Sequence, residues 1–332
     1  MQAAYIDKYS DTEKMKIGEF PMPTVGDRDI LVRIKAASVN PIDFKVKEGK
    51  LKFLRKYSFP MILGHDVSGE VVEIGKHVTK FKKGDLIFSR PRGGRIGTFA
   101  EYIAIDQDDA ALKPGDLSFE EAASLPLVGL TTWQTFETAK LQAGQKVFIP
   151  AGSGGIGTFA IQLAKLRGAE VWTSTSEKNE SLVKSLGADH VINYKNQDPW
   201  KVLSDLDLVF DTLGGQDLYN SFTAVKPNGW VISIAGDPDH NTAKDMGLGV
   251  VKSLILRMVG FKVNKFASAK KVHYRFLFMK ANGPQLEQIK ELVEQKKLHP
   301  VVDKVFPLSA IQEALDYSKS GRARGKIVIS VP

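Results

Sequence analysis

The sequence predicts an α/β protein with two domains, one strand-rich and barrel-like and one built on a doubly wound parallel sheet. Three observations support this. Segments with strand character, separated by glycine and proline, fill the chain up to about Leu117. Beyond that residue, helical and strand patterns alternate, which is typical of parallel sheets with right-handed crossovers. A glycine-rich turn at residues 151–157 also joins a strand to a helix.

The strand-rich part is predicted to be mostly antiparallel, with glycine and proline between its apolar segments. Its predicted strands are Ile30–Ala36, Val67–Gly75, Gly84–Phe88 and Thr98–Ile105.

The second part alternates strands and helices, which implies a parallel, doubly wound sheet. Its predicted strands are Lys146–Pro150, Glu170–Ser174, His190–Asn193, Leu206–Asp211, Trp230–Ala235 and Arg275–Met279, with helices at Phe159–Lys165 and Asn179–Leu186.

The C-terminal residues depart from this alternation, and we expect them to return to the first domain. The predicted domains are therefore residues 1–122 with 284–332, and residues 123–283. The C-terminal elements are helix Gln285–Lys296, strand Val301–Phe306, helix Leu308–Ser318 and strand Lys326–Ser330.

Length and composition indicate a globular protein. The chain has 332 residues, enough for two domains with their own cores. Its 43% hydrophobic and 25% charged residues are ordinary for a globular protein. No apolar run approaches the roughly 20 residues that span a bilayer, and residues Met1 to Asp7 lack the pattern of a secretory signal. We expect a cytoplasmic protein with no membrane insertion.

Cysteine content and charge restrict the chemistry. The chain has no cysteine, which excludes disulfides, thiol nucleophiles and cysteine-ligated zinc. The net charge of +8 is compatible with an anionic partner such as nucleic acid. The lysines are spread along the chain, however, and a nucleotide cofactor is itself anionic. We therefore expect no nucleic-acid partner.

The glycine turn is the most informative motif. Its glycines let backbone N–H groups approach a pyrophosphate, and the N-terminus of the following helix adds favourable partial positive charge. The alternative is a glycine-rich loop without a ligand, which the flanking strand and helix disfavour. The turn therefore predicts a dinucleotide site.

The residues after the second strand of the parallel sheet indicate which dinucleotide binds. A site that selects NAD places Asp or Glu there, to bind the ribose 2′-hydroxyl. Ser174, Thr175 and Ser176 with Lys178 instead suit the 2′-phosphate of NADPH. Glu177 stands at the distance of an NAD-selecting acid, but we expect it in the first turn of the next helix, facing solvent. The alternative for the hydroxyl residues is an ordinary polar turn that caps this helix.

An ordered series of motifs runs through nearly the whole chain. The segments are Ala37–Lys45, Leu63–Val71, Gly97–Tyr102, Leu125–Trp133, the glycine turn, Asp211–Gly215 and Gly325–Val328. This series resembles the zinc-independent quinone and enone oxidoreductases of the medium-chain dehydrogenase/reductase superfamily. The resemblance implies a GroES-like catalytic domain and a Rossmann domain, with the active site in the cleft between them.

The resemblance also implies roles for individual residues. For Tyr194 the implied role is a cofactor contact, and the alternative is an ordinary tyrosine at the boundary between apolar and polar surroundings. The implied cofactor-binding residues are Thr131, Gly152, Gly154, Gly155, Ile156, Gly157, Ser174, Thr175, Ser176, Lys178, Tyr194, Ile234, Phe278 and Lys326.

Catalysis in such an enzyme needs little beyond positioning and oxyanion stabilisation, because quinones and α,β-unsaturated carbonyls are already electrophilic. Asn40 and Lys45 are the candidate hydrogen-bond donors to the developing oxyanion, and Tyr57 is a weaker candidate proton donor. The alternatives are a turn residue before a proline for Asn40, a solvated lysine for Lys45 and a substrate-lining aromatic for Tyr57.

His65 stands where the related zinc alcohol dehydrogenases keep a zinc ligand. Asn40 replaces their cysteine ligand, and Leu127 or Val128 lies near the third. One histidine without converging ligands cannot build a catalytic zinc site. We expect no metal and a hydrogen-bonded His65.

The expected function is NADPH-dependent hydride transfer to a quinone or an α,β-unsaturated carbonyl without zinc. The alternatives are a specific alkenal or enone reductase with incidental quinone activity, and a non-enzymatic NADPH-binding or RNA-binding protein on the same fold. The basic segment Lys252–Lys271 would suit an RNA or membrane-surface role, but we favour an amphipathic helix over the cleft or at a subunit contact. The resemblance also implies a homodimer that pairs through the edge of the Rossmann sheet, and the apolar character of the expected edge strand, Arg275–Met279, fits a buried partner strand.

Overall fold

The structure, a computed structural model, describes residues 1–332 except for the side chain of His240. It divides into two units, Met1–Leu130 with Lys280–Pro332, and Thr131–Met279. The α/β fold class is confirmed. The domain boundaries predicted after residues 122 and 283 stay a prediction.

The first unit opens with strands. Its first helix begins after Asn40, where Pro41 fits the first helical position and Asp43 completes a capping box with Asn40. The elements are β1 (Gln2–Ile6), β2 (Lys16–Glu19), β3 (Asp29–Val39), α1 (Pro41–Lys47), β4 (Met61–Ile62), β5 (Asp66–Ile74), β6 (Leu86–Ser89), β7 (Tyr102–Asp106), β8 (Ala110–Leu112) and α2 (Phe119–Ala123).

The second unit alternates strands and helices, as predicted. Its six strands are all parallel, in the order β11-β10-β9-β12-β13-β14, which is the order of a Rossmann sheet. The elements are α3 (Pro126–Ala139), which begins in the first unit, β9 (Lys146–Ile149), α4 (Gly155–Leu166), β10 (Glu170–Thr175), α5 (Glu180–Ser185), β11 (His190–Asn193), β12 (Leu206–Asp211), α6 (Gly215–Ala224), β13 (Val225–Ser233), α7 (His240–Asp245), α8 (Val250–Val259), α9 (Phe261–Ala269) and β14 (His273–Phe276).

The C-terminal residues belong to the sheets of the first unit, where β16 pairs antiparallel with β3 and parallel with β15. The larger sheet has the strand order β15-β16-β3-β5-β6-β8, with β7 on β3, and the smaller one β2-β1-β4. The remaining elements are α10 (Gly283–Glu294), β15 (Val302–Pro307), α11 (Ile311–Lys319) and β16 (Lys326–Ser330).

The bounds of several predicted strands shift by a few residues, as in β13, which spans Val225–Ser233 where Trp230–Ala235 is predicted. Three predicted elements differ further. The edge strand β14 ends at Phe276, because its partner Ser233 is the last residue of β13 and leaves Phe278 no strand to pair with. The segment before β7 forms only an isolated bridge, between Ala3 and Ala100. The predicted single amphipathic helix is divided at Gly260 into α8 and α9.

Each unit has its own apolar core. In the first, fully buried residues of β3 pack with residues of β5 and β16, for example Ile34, Val67 and Ile329. In the second, Phe148 and Val209 of the parallel sheet pack in a cluster with buried residues of α6 and α9. None of the helices in the described part of the chain has the length and apolarity that crossing a bilayer requires.

Candidate active site

The glycine turn between β9 and α4 packs directly on the parallel sheet. Gly152, Gly154 and Gly157 follow the GxGxxG spacing. A Cβ on Gly152 would lie 2.0 Å from Thr173 Oγ1. A Cβ on Gly157 would lie 2.6 Å from the carbonyl oxygens of Ala151 and Gly152. Neither position therefore has room for a side chain.

The turn is open on the side of the helix N-terminus. A Cβ on Gly154 would meet no atom closer than the Ala151 carbonyl oxygen, at 3.3 Å. Gly154 is the N-cap of α4, so the N–H groups of Gly155, Ile156 and Gly157 have no carbonyl within the helix to pair with. These residues fit the pyrophosphate of a dinucleotide.

Hydroxyl side chains link the end of β10 to the glycine turn. Thr175 Oγ1 donates to Ser153 Oγ at 3.0 Å, and the Ala151 N–H donates to Ser174 Oγ at 3.4 Å. Asn179 Nδ2 donates to the same Ser153 Oγ at 2.9 Å. The polar end of β10 therefore stands beside the residues that fit the pyrophosphate.

The charged residues that follow β10 are exposed. Glu177 and Lys178 lie in a 3-10 turn before α5, and both side chains face solvent. Glu177 faces solvent as expected, but it lies in this 3-10 turn and not in the first turn of α5. Ser176, just before them, is buried. The end of β10 thus offers hydroxyls and an exposed ammonium, the groups that suit a 2′-phosphate.

The other predicted cofactor residues of the second unit occupy several elements. The Tyr194 N–H donates to the Thr175 carbonyl at 3.3 Å, so Tyr194 stands next to the end of β10, with its side chain exposed. Ile234 follows β13 and Phe278 follows β14, and both are half-buried. These residues lie at the carboxyl ends of parallel strands, where such sheets bind ligands. Thr131 is buried on α3.

The first unit contains a buried polar cluster around Asp66. Lys326 Nζ donates to Asn40 Oδ1 at 2.5 Å and lies 3.4 Å from Asp66 Oδ2. Asn40 Nδ2 donates to Asp66 Oδ2 at 2.8 Å and to the Ser38 carbonyl at 3.3 Å. Ser38 Oγ also donates to Asp66. Burial lowers the pKa of Lys326, and the Asp66 carboxylate opposes that shift. We call Ser38, Asn40, Asp66 and Lys326 the Asp66 cluster.

His65 is hydrogen-bonded, as expected from the sequence. Its Nδ1 lies 2.6 Å from Asp43 Oδ1, and both side chains are buried. The second oxygen of Asp43 accepts the Asn40 N–H at 2.7 Å. Among the described residues, no group of three or more His, Asp or Glu side chains is placed to hold a metal ion.

Lys45 and Tyr57 are both partly buried. Burial lowers the pKa of Lys45, and the neighbouring charge of Lys50 adds to the shift. Burial raises the pKa of Tyr57 above its ordinary value. The Tyr57 hydroxyl lies 3.4 Å from the Gly93 carbonyl oxygen, a long hydrogen bond. Lys45 is therefore not the fully solvated lysine of the alternative hypothesis.

Comparison with known proteins identifies the family. A model of the alcohol dehydrogenase GroES-like domain matches residues 26–115, and a model of zinc-binding dehydrogenases matches residues 186–329. The NAD(P)H oxidoreductase RTN4IP1, mitochondrial, of Homo sapiens is 35% identical over the whole chain and 89% of its own length. The chain belongs to the quinone and enone oxidoreductases of the medium-chain dehydrogenase/reductase superfamily.

Two further relatives support this assignment. The 2-methylene-furan-3-one reductase of Solanum lycopersicum is 31% identical over 99% of this chain and 79% of its own length. The structure of the quinone oxidoreductase from Coxiella burnetii superposes with a TM-score of 0.87 at 31% identity, covering 100% of this chain and 99% of that one. The predicted GroES-like and Rossmann folds are confirmed.

Zinc, which one family description names, does not fit the residues around His65. The partner of its Nδ1 is Asp43, and the described residues provide no set of ligands converging with it. The cysteine ligands of the zinc branch are absent from the sequence.

Sequence reasoning missed two buried carboxylates. Asp66 organises its cluster, although it stands next to His65 in a motif segment. Asp211 accepts the N–H of Gly214 at 2.9 Å and the Ser233 hydroxyl at 2.6 Å. Ser233 Oγ in turn accepts the Gly236 N–H at 2.7 Å. Asp211 therefore ties together the loops after β12 and β13. The sequence signal for Asp211 was an acidic residue at the end of an otherwise apolar strand.

Proposed function

We propose that this protein is a reductase that uses NADPH to reduce a quinone or an α,β-unsaturated carbonyl without zinc. The observation that carries the proposal is the open glycine turn with hydroxyl residues and Lys178 beside it. Relatives named NAD(P)H oxidoreductase, quinone oxidoreductase and 2-methylene-furan-3-one reductase support it. When bound, NADPH supplies the hydride that adds to the acceptor.

Residues of the second unit hold the cofactor in this proposal. The N–H groups of Gly155, Ile156 and Gly157 bind the pyrophosphate, since α4 provides no partner for them. Ser176 and Lys178 contact the 2′-phosphate, and exposed Glu177 turns away from it. Tyr194, Ile234, Phe278 and Thr131 remain proposed contacts.

Residues of the first unit act on the acceptor. Lys45 donates a hydrogen bond to the carbonyl oxygen as it gains charge. Both amide hydrogens of Asn40 already donate within the Asp66 cluster, so Asn40 and Lys326 act as positioning residues. Tyr57 or water supplies the proton that completes the reduction.

Cofactor choice is tested by steady-state kinetics with NADPH and NADH. We expect a clear preference for NADPH. Lys178→Ala should raise the KM for NADPH about tenfold and leave the KM for NADH unchanged, because it removes one charge–phosphate contact. Lys201→Ala, at another exposed lysine, is the control. A preference for NADH in the wild type would contradict the proposal.

The acceptor is tested by measuring NADPH oxidation with quinones, enones, alkenals and simple ketones. Turnover of quinones and enones without turnover of simple ketones is expected, since the latter need a Lewis acid. Activity confined to one enone or alkenal would favour the specific double-bond reductase, which the furanone reductase relative supports. Stoichiometric zinc in untagged protein, by elemental analysis, would refute zinc independence.

Two expectations about the protein's state stay predictions. We propose a homodimer that pairs through β14, an edge strand of the parallel sheet; a monomer by light scattering would contradict it. We also propose a cytoplasmic location. The human relative is named a mitochondrial protein, so cell fractionation is needed to distinguish the two locations.

A further inference from the structure

The outward side of α8 and the start of α9 is apolar. Val250, Val251, Leu254, Met258 and Phe261 each have between 59% and 86% of their surface exposed. We call the surface formed by these five residues the α8–α9 face. Exposed apolar surface gathered in one place indicates an interaction site, whereas scattered apolar residues do not.

The orientation of α8 makes this exposure a property of the fold. Leu256, on the opposite side of the helix, is buried and anchors α8 to the unit. Four of the five exposed residues lie on a single stripe of α8, because residues three and four apart share a helix face. A helix that covers a core has its apolar stripe inward, so this helix presents a second apolar face to the outside.

The charge around this face is one-sided. Between Val250 and Lys271 the chain has six Lys and Arg residues and no Asp or Glu. The rest of the chain has 40 Lys and Arg residues against 38 Asp and Glu residues, so this segment carries six of the eight net positive charges. Arg257, Lys262 and Lys265 are exposed. A partner for this surface must accept both apolar side chains and cations.

We propose that the α8–α9 face docks on an anionic lipid surface. The apolar side chains enter the boundary between headgroups and acyl chains, while Arg257, Lys262 and Lys265 contact lipid phosphates. A second copy of the chain fits less well. In a two-fold contact both copies contribute the same surface, so a second copy would bring another cationic segment with no carboxylate between Val250 and Lys271. The docking is peripheral and does not depend on the reaction proposed above.

Vesicle flotation tests the proposal with the full chain. We expect binding to vesicles of 70% phosphatidylcholine and 30% phosphatidylglycerol, no binding to pure phosphatidylcholine, and weaker binding in 0.5 M salt, where charges are screened over about 4 Å. Arg257→Gln with Lys265→Gln should weaken binding about twenty-fold. Lys83→Gln with Lys297→Gln, at two exposed lysines elsewhere, should leave it unchanged.

The apolar contribution is tested separately. Leu254→Glu with Met258→Glu should abolish flotation without lowering the urea midpoint, since both side chains are exposed. Leu166→Glu with Val305→Glu, at exposed apolar residues outside the face, is the matched control. Two results would overturn the proposal. One is a wild type that ignores anionic vesicles. The other is a dimer in sedimentation that Leu254→Glu with Met258→Glu converts to monomer, since a second copy would then cover the face. Flotation needs no turnover, so its failure leaves the proposed reductase activity untouched.

Discussion

Gly152→Ala is the substitution whose effect the structure defines most sharply. The new Cβ would lie 2.0 Å from Thr173 Oγ1, over 1 Å inside ordinary contact. Thr173 is fully buried, and its hydroxyl donates to the Ile149 carbonyl at 2.6 Å, so it cannot turn aside without losing that bond. Overpacking of this kind costs about 1–3 kcal/mol. We expect a loss near the upper end, about 3 kcal/mol, because a buried hydrogen bond is also disturbed.

A second substitution at residue 173 isolates the cause. Thr173→Ala removes the hydroxyl that clashes. In the Gly152→Ala background it should therefore recover about 1–2 kcal/mol of the free energy of unfolding, which is a favourable coupling between the two substitutions. Thr173→Ser retains Oγ and should recover none. Gly152→Ala should also weaken NADPH binding, and the paired variant Gly152→Ala with Thr173→Ala should regain part of the lost affinity.

Urea unfolding of the wild type, the three single variants and the two paired variants measures the coupling, and fluorescence titration measures the NADPH dissociation constant. The reasoning is refuted if Gly152→Ala costs less than about 0.5 kcal/mol, the level of an ordinary surface change. It is equally refuted if serine and alanine at residue 173 rescue the variant alike, because the hydroxyl oxygen would then not be the clashing atom.

Three other predictions follow from named contacts. Lys45→Met should lower kcat about 10²-fold. In the wild type, kcat should fall as pH rises through the pKa of Lys45, which burial holds below 10.5, and the variant should lack this alkaline limb. Equal pH profiles of the two proteins would exclude the proposed role of Lys45. Asp211→Ala should lower the free energy of unfolding in urea by about 3 kcal/mol, because it leaves buried donors unpaired, and Ser233→Ala by only about 1 kcal/mol. Arg95 lowers the pKa of Asp29 below 3.8 through its side-chain hydrogen bonds, so this pair stabilises the fold above that pH and the stability is lost as pH falls through the lowered pKa. Arg95→Met should cost about 1 kcal/mol at neutral pH and flatten the acid limb of the stability curve.

The parallel sheet was predictable because its signals are local. The strands His190–Asn193 and Leu206–Asp211 have the predicted bounds, since each is a short apolar run between turn residues. The end of β14 was not predictable from Leu277–Met279, which are as apolar as the strand before them. Its limit is set by the last residue of β13, a distant neighbour in the chain.

Amphipathicity alone also did not determine which face of α8 packs against the core. An apolar stripe predicts that a helix has one distinct face, but the stripe does not say whether that face meets the core or the outside. Here Leu256 faces inward, and Leu254 and Met258 face outward. From the sequence we expected a covered face, whereas the six cations between Val250 and Lys271 were the signal for an exposed one.

The Asp66 cluster shows why a motif can locate a site and still miss its chemistry. Asn40 and Lys326 were recognised from motifs at opposite ends of the chain, yet their contact at 2.5 Å exists only because β16 pairs with β3. A buried carboxylate is costly unless charge and hydrogen bonds compensate it. Asp66 receives a nearby ammonium, an amide, a hydroxyl and the Leu127 N–H, at 2.8 Å for the last. Lys326 thus joins Asn40 and Asp66 in one buried cluster, although the three residues come from distant parts of the chain.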